Sequence, residues 1–359
     1  MGNDGVKAAP HSRRKADRPM THIAMDVHKK RSVSACQTPA EAETQIVRCF
    51  TTQAGIAQVL SELPRPWIVC LEATRQSPAV VRWLRELEVD EIQLVDPKGL
   101  KAFLKGKPKS DARDAKEMLA LLQMGRLPKA YLAPPEVQEV RALTRTRAFV
   151  RRGSTSWRNQ LRALLNQHGL EVPARDLCGI AGQRQLAESA AALGPHGQAA
   201  AQELTALLLA TEAALDALDG QVRAELAQQP VARALMALPG IGPVMALALV
   251  AELGEIERFE DPAHLISYAG LAPRANDSDE HHGPRQLPFR CNKRLRHLVI
   301  QAAQAACRSR QPSNARRTYE RLRGRGLHHN TAKIAAARDL LKDMFYGWKG
   351  AQDETQPAA

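Results

Sequence analysis

The first 130 residues alternate between short strand-like segments and longer helix-like ones. Three apolar stretches, HIAMDV, RSVSACQT and QIVRCFTT, indicate a β-meander that begins at Thr21. They are followed by a helical stretch (Gln53 to Leu63), a buried-type strand (PWIVCLEAT), a second helix (Ala79 to Glu88) and another strand (EIQLVDP). The segment DARDAKEMLALLQMG then predicts a helix of good helix formers. This alternation predicts an α/β domain over residues 21–130.

The rest of the chain has a mainly helical pattern. Residues 131–229 are rich in Ala, Leu, Gln and Arg, which predicts a helical connector, an antiparallel pair or coiled coil broken near HGLEVPARDLCG. Residues 230–346 include the apolar LMALPGIGPVMALALVAELG and a helix near Leu295 to Arg308, so we predict an α-helical C-terminal domain. The polar segments 1–20 and 347–359 are predicted to be a disordered basic arm, nucleic-acid-binding or inert, and a disordered tail.

Positive charge is in excess along the chain. Lys and Arg number 51 against 38 Asp and Glu, so the formal net charge is +13. This balance favours a polyanionic partner, and nucleic acid is the first candidate, although ribosomal and membrane-surface proteins share it. Aromatic residues make up only 4% of the chain, which argues against recognition by rows of stacking rings. Contacts to phosphate are therefore expected to dominate binding.

Neither a membrane nor an oxidising compartment is indicated. The opening residues lack the apolar core of a signal peptide, and no run of about 18 apolar residues occurs. The six cysteines are scattered, and no two have the short spacing of a zinc site. We expect a cytoplasmic protein whose cysteines are reduced core thiols.

Four acidic residues stand where a metal site would be built. Asp26 and Glu72 each end an apolar strand, where a charge is costly to bury unless it is paired or binds a metal. Asp111 and Asp114 are spaced i and i+3 near the start of a helix and so share one face. Four acids in this order match the ribonuclease-H-like arrangement that holds two divalent ions, and Mg²⁺ is the natural ion for oxygen ligands.

Taken singly, the acids also have ordinary explanations. Asp111 suits the first turn of a helix without any ligand, and Asp114 could be a solvated surface charge. Asp96, in LVDPKG, also follows a strand, but Asp before Pro is common turn chemistry. The combination of four acids in order is what indicates a catalytic metal site.

These motifs resemble the insertion-sequence family 110 transposases, also called DEDD transposases and related to Piv-type DNA invertases. The first acid lies in AMDVHKK, the second in LEAT and the last two in KSDARDA, and PGIGP and LISYAGLAPR follow. The resemblance covers roughly residues 21–310. It implies a ribonuclease-H-like (RuvC-like) N-terminal domain whose catalytic, metal-binding residues are Asp26, Glu72, Asp111 and Asp114.

The resemblance also implies a catalytic serine in the C-terminal domain. Counting from LAPR places Ser278 at the position that in the family attacks the DNA phosphate and holds a covalent intermediate. The sequence departs from the family pattern, because Asp277 replaces a serine, Asp279 a glycine and Cys291 another glycine. A loop serine among acidic residues is the alternative interpretation of Ser278.

Further residues are predicted to contact nucleic acid. PGIGP resembles the hairpin of a helix-hairpin-helix, in which Gly240 and Gly242 allow a tight turn whose amides can meet a phosphate. A structural turn between core helices is the alternative. The predicted phosphate-contacting residues of the basic C-terminal segments are Arg274, Arg290, Lys293, Arg294 and Arg296, beside His297. A solvated helix face would show the same pattern. The pairs His281, His282 and His328, His329 are not spaced as metal ligands.

The resemblance implies a transposase that cuts and rejoins DNA, guided by a noncoding RNA of its own element. It also implies a homodimer or homotetramer, without a membrane partner, that associates with the nucleoid during activity. Two other functions fit the residues. One is a junction-resolving nuclease in which the four acids activate water and Ser278 is idle. The other is a non-catalytic nucleic-acid-binding remnant of a transposase.

Overall fold

The computed structural model describes residues 19–41, 43–103, 110–273, 277–278, 281–282, 287–289 and 291–353. The chain divides into two compact units, residues 1–132 and 133–359. Most of the predicted basic arm, the end of the predicted tail, Arg274 and Arg290 lie outside the described residues.

The first unit contains a five-stranded mixed sheet. Its strands are β1 (Thr21–Val27), β2 (Arg31–Gln37), β3 (Gln45–Phe50), β4 (Trp67–Glu72) and β5 (Glu91–Val95). The strand order is β3-β2-β1-β4-β5. The first three strands form an antiparallel meander, whereas β4 pairs parallel with both β1 and β5. The predicted meander and the predicted parallel strands are therefore confirmed.

Helices cover both faces of this sheet. They are α1 (Gln53–Ser61), α2 (Ser77–Glu86), α3 (Pro97–Phe103) and α4 (Asp111–Gln123). Ile23 and Met25 of β1 belong to a buried cluster with residues of α1 and α2, whereas Ala24 belongs to a cluster with α3 and α4. Because successive side chains of a strand point to opposite faces, this alternation defines a three-layer unit. It fits the predicted α/β domain.

The second unit begins with long helices. They are α5 (Pro135–Asn166), α6 (Ile180–Ala191) and α7 (Pro195–Gln228). Arg147 of α5 pairs with Asp219 of α7, and Arg158 lies 2.9 Å from Glu212. Contacts that advance along one helix as they retreat along the other mean that α5 and α7 run antiparallel, as predicted. The two helices also pack together in a buried apolar cluster that includes Leu161 of α5 and Leu208 of α7.

The remainder of the second unit is mostly helical. Its elements are α8 (Pro230–Leu235), α9 (Pro243–Leu253), α10 (Pro262–Tyr268), β6 (Asp277–Ser278), β7 (His281–His282), α11 (Lys293–Arg308), α12 (Asn314–Gly324) and α13 (His329–Asp353). A large apolar cluster joins these helices, including Leu249 of α9, Val299 of α11 and Leu341 of α13. The two-residue strands β6 and β7, which pair antiparallel, were not predicted from the sequence.

None of the described helices is long and apolar enough to cross a bilayer. All six cysteines are free thiols. Burial raises the pKa of Cys36 and of Cys70 to about 12. These two thiols therefore stay protonated and unreactive in the core.

Gly240 and Gly242 sit in different surroundings, which allows a test of the turn before α9. Gly240 has φ +88°, and an added Cβ would lie 2.2 Å from the carbonyl oxygen of Ala302. At Gly242, where φ is −91°, an added Cβ would meet nothing within 4 Å. We expect Gly240→Ala to lower the free energy of unfolding by about 3 kcal/mol or more. Gly242→Ala should change it by less than about 0.5 kcal/mol.

Urea denaturation of the two variants measures this difference. Equal stability of Gly240→Ala and the unmodified chain would contradict the close packing of this turn on α11.

Candidate functional site

Asp26 and Glu72 lie side by side at the carboxyl ends of neighbouring parallel strands. In the register of β1 and β4, Met25 pairs with Leu71, so the next residues along the two strands are Asp26 and Glu72. Ala24 and Cys70, two positions earlier on each strand, belong to the apolar cluster beneath α4. By the same alternation, both carboxylates are on the α4 face of the sheet.

Asp111 and Asp114 occupy the first turn of α4. Acidic side chains are favoured there by the helix dipole. Ala115, Met118 and Leu119 fix the helix on the sheet, since they pack in the cluster that contains Ala24. The charges of Asp111 and Asp114 both act on Asp26. The start of α4 therefore lies over the end of β1, and the structure brings all four predicted acids together.

The carboxyl groups of this cluster have perturbed pKa values. Burial raises the pKa of Asp26, which is only 8% exposed; His28 opposes this rise, whereas Asp111 and Asp114 add to it. Burial also raises the pKa of Glu72, Asp26 and Asp114 raise it further, and Lys101 and His28 act against them. Mutual repulsion of this kind is relieved when a cation binds.

His28 is a member of the site that sequence reasoning missed. Its Nε2 lies 3.2 Å from Oδ2 of Asp26 and 3.6 Å from Oδ1 of Asp111. One ligand atom from each of Asp26, His28 and Asp111 lies within 4.8 Å of the others, which is close enough for one metal ion to contact all three. The available signal was the spacing, since a residue two positions after Asp26 continues on the same side of an extended chain.

Asp96 is a turn residue, which confirms the ordinary explanation. Its carboxylate accepts a hydrogen bond of 2.8 Å from the backbone N–H of Gly99 and a longer one from Lys98. These bonds satisfy the first amides of α3.

Ser278 belongs to the second unit, whereas the four acids belong to the first. Ser278 pairs with His281, and Asp277 pairs with His282, in the short β6-β7 ladder. The backbone on both sides of this ladder lies outside the described residues.

The three basic residues of α11 that were predicted to contact phosphate lie in different environments. Arg294 lies 3.0 Å from Glu252, whose side chain is fully buried. Arg296 donates to the carbonyl oxygen of Pro288 and lies 2.7 Å from Sγ of Cys291. Lys293 is exposed, with its Nζ 4.2 Å from the centre of the Phe289 ring. Arg294 and Arg296 thus both have protein partners, and only Lys293 shows the exposed position of a simple surface charge.

Two family models match the chain. A DEDD transposase model of the insertion-sequence 110 type matches residues 23–169, which include all four acids. A second model, described as the transposase IS116/IS110/IS902 family, matches residues 232–320, which include Ser278. The two matches together extend over both units.

Curated relatives agree with these matches. A probable family 20 transposase of Pseudomonas aeruginosa is 28% identical over 74% of this chain and 78% of its own length. The transposase for insertion sequence element IS1111A of Coxiella burnetii is 27% identical over 60% of this chain and 59% of its own. A pilin gene-inverting protein of Moraxella bovis is 32% identical over 30% of this chain and 33% of its own. The chain therefore belongs to the IS116/IS110/IS902 transposase family, whose members are enzymes that act on DNA by phosphoryl transfer.

Proposed function

We propose that this chain is the transposase of an insertion sequence and that it cuts and rejoins DNA with a metal-binding carboxylate site and a serine nucleophile. Its first unit is a ribonuclease-H-like, RuvC-like domain in which Asp26, Glu72, Asp111 and Asp114 hold Mg²⁺, most simply as two ions. The observation that carries this proposal is the convergence of all four carboxylates at one edge of the sheet, where burial and mutual repulsion raise the pKa of Asp26 and Glu72.

The donor set fits a divalent cation. Carboxylate oxygens are the ligands that Mg²⁺ prefers, and the Asp26 and Asp111 oxygens lie within 4.8 Å of each other. His28 orients these two carboxylates by hydrogen bonding to Asp26 and lying beside Asp111. When bound, paired ions supply charge stabilisation to the attacking and leaving oxygens of a phosphoryl transfer. The protein's part is to fix the acids on rigid elements, two on strands and two on one helix.

In this proposal the second unit supplies the nucleophile and the contacts to nucleic acid. Ser278 loses its Oγ proton and attacks a DNA phosphate, the bond from phosphorus to one strand's oxygen breaks, and that strand leaves with a hydroxyl end. A hydroxyl of the incoming strand then attacks the phosphoserine, which rejoins the DNA and releases the serine. The residues proposed to contact nucleic acid are Gly240, Gly242, Arg274, Arg290, Lys293, Arg294 and Arg296. Gly240 also has a packing role against α11, so its replacement would test folding before binding.

The proposed partners are DNA and a noncoding guide RNA of the same element, with the protein acting as a homodimer or homotetramer at the nucleoid. Support for a nucleic-acid partner comes from the net charge of +13 and from the family. The guide and the oligomer are supported by the family resemblance alone.

A recombination assay tests the proposed function. The chain is expressed with a plasmid that carries the DNA flanking its own gene, and excision or insertion junctions are amplified and sequenced. We expect junctions to form in cells, and to form with purified protein only when Mg²⁺ is present. We also expect junction formation to require a transcribed flanking segment. A purified chain that binds this DNA but never produces a junction or a nick with any divalent ion would contradict the proposal.

Metal binding should also stabilise the folded protein. We expect Mg²⁺ at about 100 times its dissociation constant to add about 2.7 kcal/mol to the free energy of unfolding. The effect should vanish in Asp26→Asn, because one ligand and its charge are removed. Thermal unfolding in Mg²⁺, compared with Na⁺ of equal ionic strength, measures the difference. An equal Mg²⁺ effect in both proteins would contradict the site.

The stability of the protein should depend on pH in opposite directions without and with Mg²⁺. With chelator present, the folded chain binds protons to Asp26 and Glu72 at pH values where the unfolded chain has released them. Their contribution to stability therefore falls as pH rises through the raised pKa values. Metal ligands must be deprotonated, so the Mg²⁺ effect should be full above these raised pKa values and fall as pH drops through them.

A further inference from the structure

A basic cavity lies within the second unit, where three helices meet. Its volume is about 470 Å³, within the range of ligand pockets. Arg147, Arg151 and Arg152 of α5 line one side, and Arg294, His297 and Gln301 of α11 line another. The first turn of α9 closes the third side. Arg147 and Arg151 are four residues apart on α5, and Arg294, His297 and Gln301 are three and four residues apart on α11, so each set lies on one face of its helix.

No acidic residue lines the described part of this cavity. The acidic residues that pair with its arginines do not line the cavity. Asp219 accepts two hydrogen bonds from Arg147, and Glu212 lies 3.8 Å from Arg151. In the described part of the chain Arg152 has no carboxylate partner; its guanidinium lies 5.7 Å from the centre of the exposed Phe149 ring. The acids thus hold the guanidinium groups in place without occupying the cavity.

Glu252 fixes the innermost arginine. It is fully buried and accepts two hydrogen bonds, of 2.7 and 2.8 Å, from Arg145. Burial acts to raise the pKa of Glu252, but the hydrogen bonds and charge of Arg145 hold it below its ordinary value. Glu252 is therefore ionised, and it also pairs with Arg294. A buried ion pair with fixed geometry orients Arg294, which in turn donates to the carbonyl oxygen of Thr144.

The cavity retains uncompensated positive charge. Burial lowers the pKa of Arg294; Glu252 opposes this, and the neighbouring charges of Arg145 and Arg152 add to it. The amides of the first turn of α9 add partial positive charge, and Gly242 at its N-cap makes no side-chain capping bond. Open space at Gly242 leaves this turn accessible to a ligand. An anion with several acceptor oxygens would relieve the repulsion among these groups.

We propose that this cavity binds a phosphodiester of the nucleic-acid backbone and that Arg147, Arg151 and Arg152 make the connector helix α5 part of the nucleic-acid-binding surface. Planar guanidinium groups suit phosphate oxygens. Apolar atoms of Pro243, Met245 and Leu298 in the same cavity suit the adjoining sugar. The proposal rests on the proposed function only in taking nucleic acid as the partner, and it needs no metal and no serine. DNA and RNA share this chemistry.

Binding in chelator tests the cavity apart from catalysis. The full chain carrying Arg151→Gln and Arg152→Gln is titrated into labelled DNA duplex and, separately, into RNA hairpin by fluorescence anisotropy. We expect the dissociation constant to rise at least about tenfold at 0.1 M salt, and the slope of log affinity against log salt to fall by up to about two. Loss towards one nucleic acid or both identifies which backbone occupies the cavity.

A matched control removes the same charge elsewhere in the unit. Arg184 is 81% exposed on α6 and Arg175 is also exposed, so Arg175→Gln with Arg184→Gln should change binding by less than about threefold. Equal effects of the two double variants would overturn the proposal.

A second variant keeps every arginine. Gln301→Glu places a carboxylate at the cavity, whereas Gln202→Glu makes the same change on exposed α7. We expect only Gln301→Glu to weaken binding, and unchanged binding by it would also overturn the proposal. Failure of metal-dependent cleavage would leave all of these outcomes unaffected.

Discussion

Replacing Asp111 with Asn is expected to abolish metal-dependent strand cleavage while the protein stays folded. The carboxylate is half-exposed in the first turn of α4, so the change removes a charge without opening a cavity. Mutating a group that only orients a metal ligand commonly lowers metal affinity or activity about 10- to 100-fold. Loss of a ligand should exceed this, and we expect the cleavage rate to fall by more than about a hundredfold. Single-turnover nicking of supercoiled plasmid measures it.

Asp96→Asn is the matched control for Asp111→Asn. Asp96 follows β5 much as Asp26 ends β1, but its carboxylate only accepts hydrogen bonds from the start of α3. Asparagine can make the same bonds, so cleavage by Asp96→Asn should stay within about twofold of the unmodified chain. Equal loss in both variants would show that the fold of this unit, and not the four-acid cluster, limits cleavage.

Much of the first unit could be predicted from the sequence because its signals are local. The period of two along β1 places Asp26 on the same face as Ala24, and the same parity places Glu72 with Cys70. The spacing of Asp111 and Asp114 likewise fixes one face of α4. The sequence does not show whether the acidic face of α4 meets the acidic edge of the sheet, because that depends on how α4 packs on the sheet.

Features that depend on long-range packing could not be predicted. Lys293, Arg294 and Arg296 look alike in sequence, yet Arg294 pairs with Glu252, and the segment before α11 accepts from Arg296. The basic cavity requires α5 and α11, whose lining residues Arg147 and Arg294 are far apart in the chain. The hydrophobic periodicity of each helix does not show which distant helix it contacts. The sequence therefore predicted only a helical connector over residues 131–229, although arginines of its first helix line a cavity.

Replacing Ser278 with Ala is expected to eliminate the covalent protein–DNA intermediate and strand exchange together. Serine is a weak nucleophile at neutral pH and needs activation. Asp26, Glu72, Asp111 and Asp114 would hold the metal ion, which would supply that activation. Without the Oγ atom no phosphoserine can form, so the adduct should fall below detection and recombination should fall by at least about a thousandfold. Denaturing gels of labelled DNA after short reactions reveal the adduct, and junction sequencing measures recombination.

Two further variants make the Ser278 test specific. Ser267→Ala removes an exposed serine of α10 in the same unit and should leave adduct and recombination unchanged. Asp277→Ser with Asp279→Gly restores the family's residues around Ser278, and it should raise adduct formation because two carboxylates no longer repel the DNA phosphate. Retention of strand exchange in Ser278→Ala, together with its loss in Asp111→Asn, would show that the serine is idle. The four acids would then activate water, as in a junction-resolving nuclease, and no protein group of the second unit would act as the nucleophile.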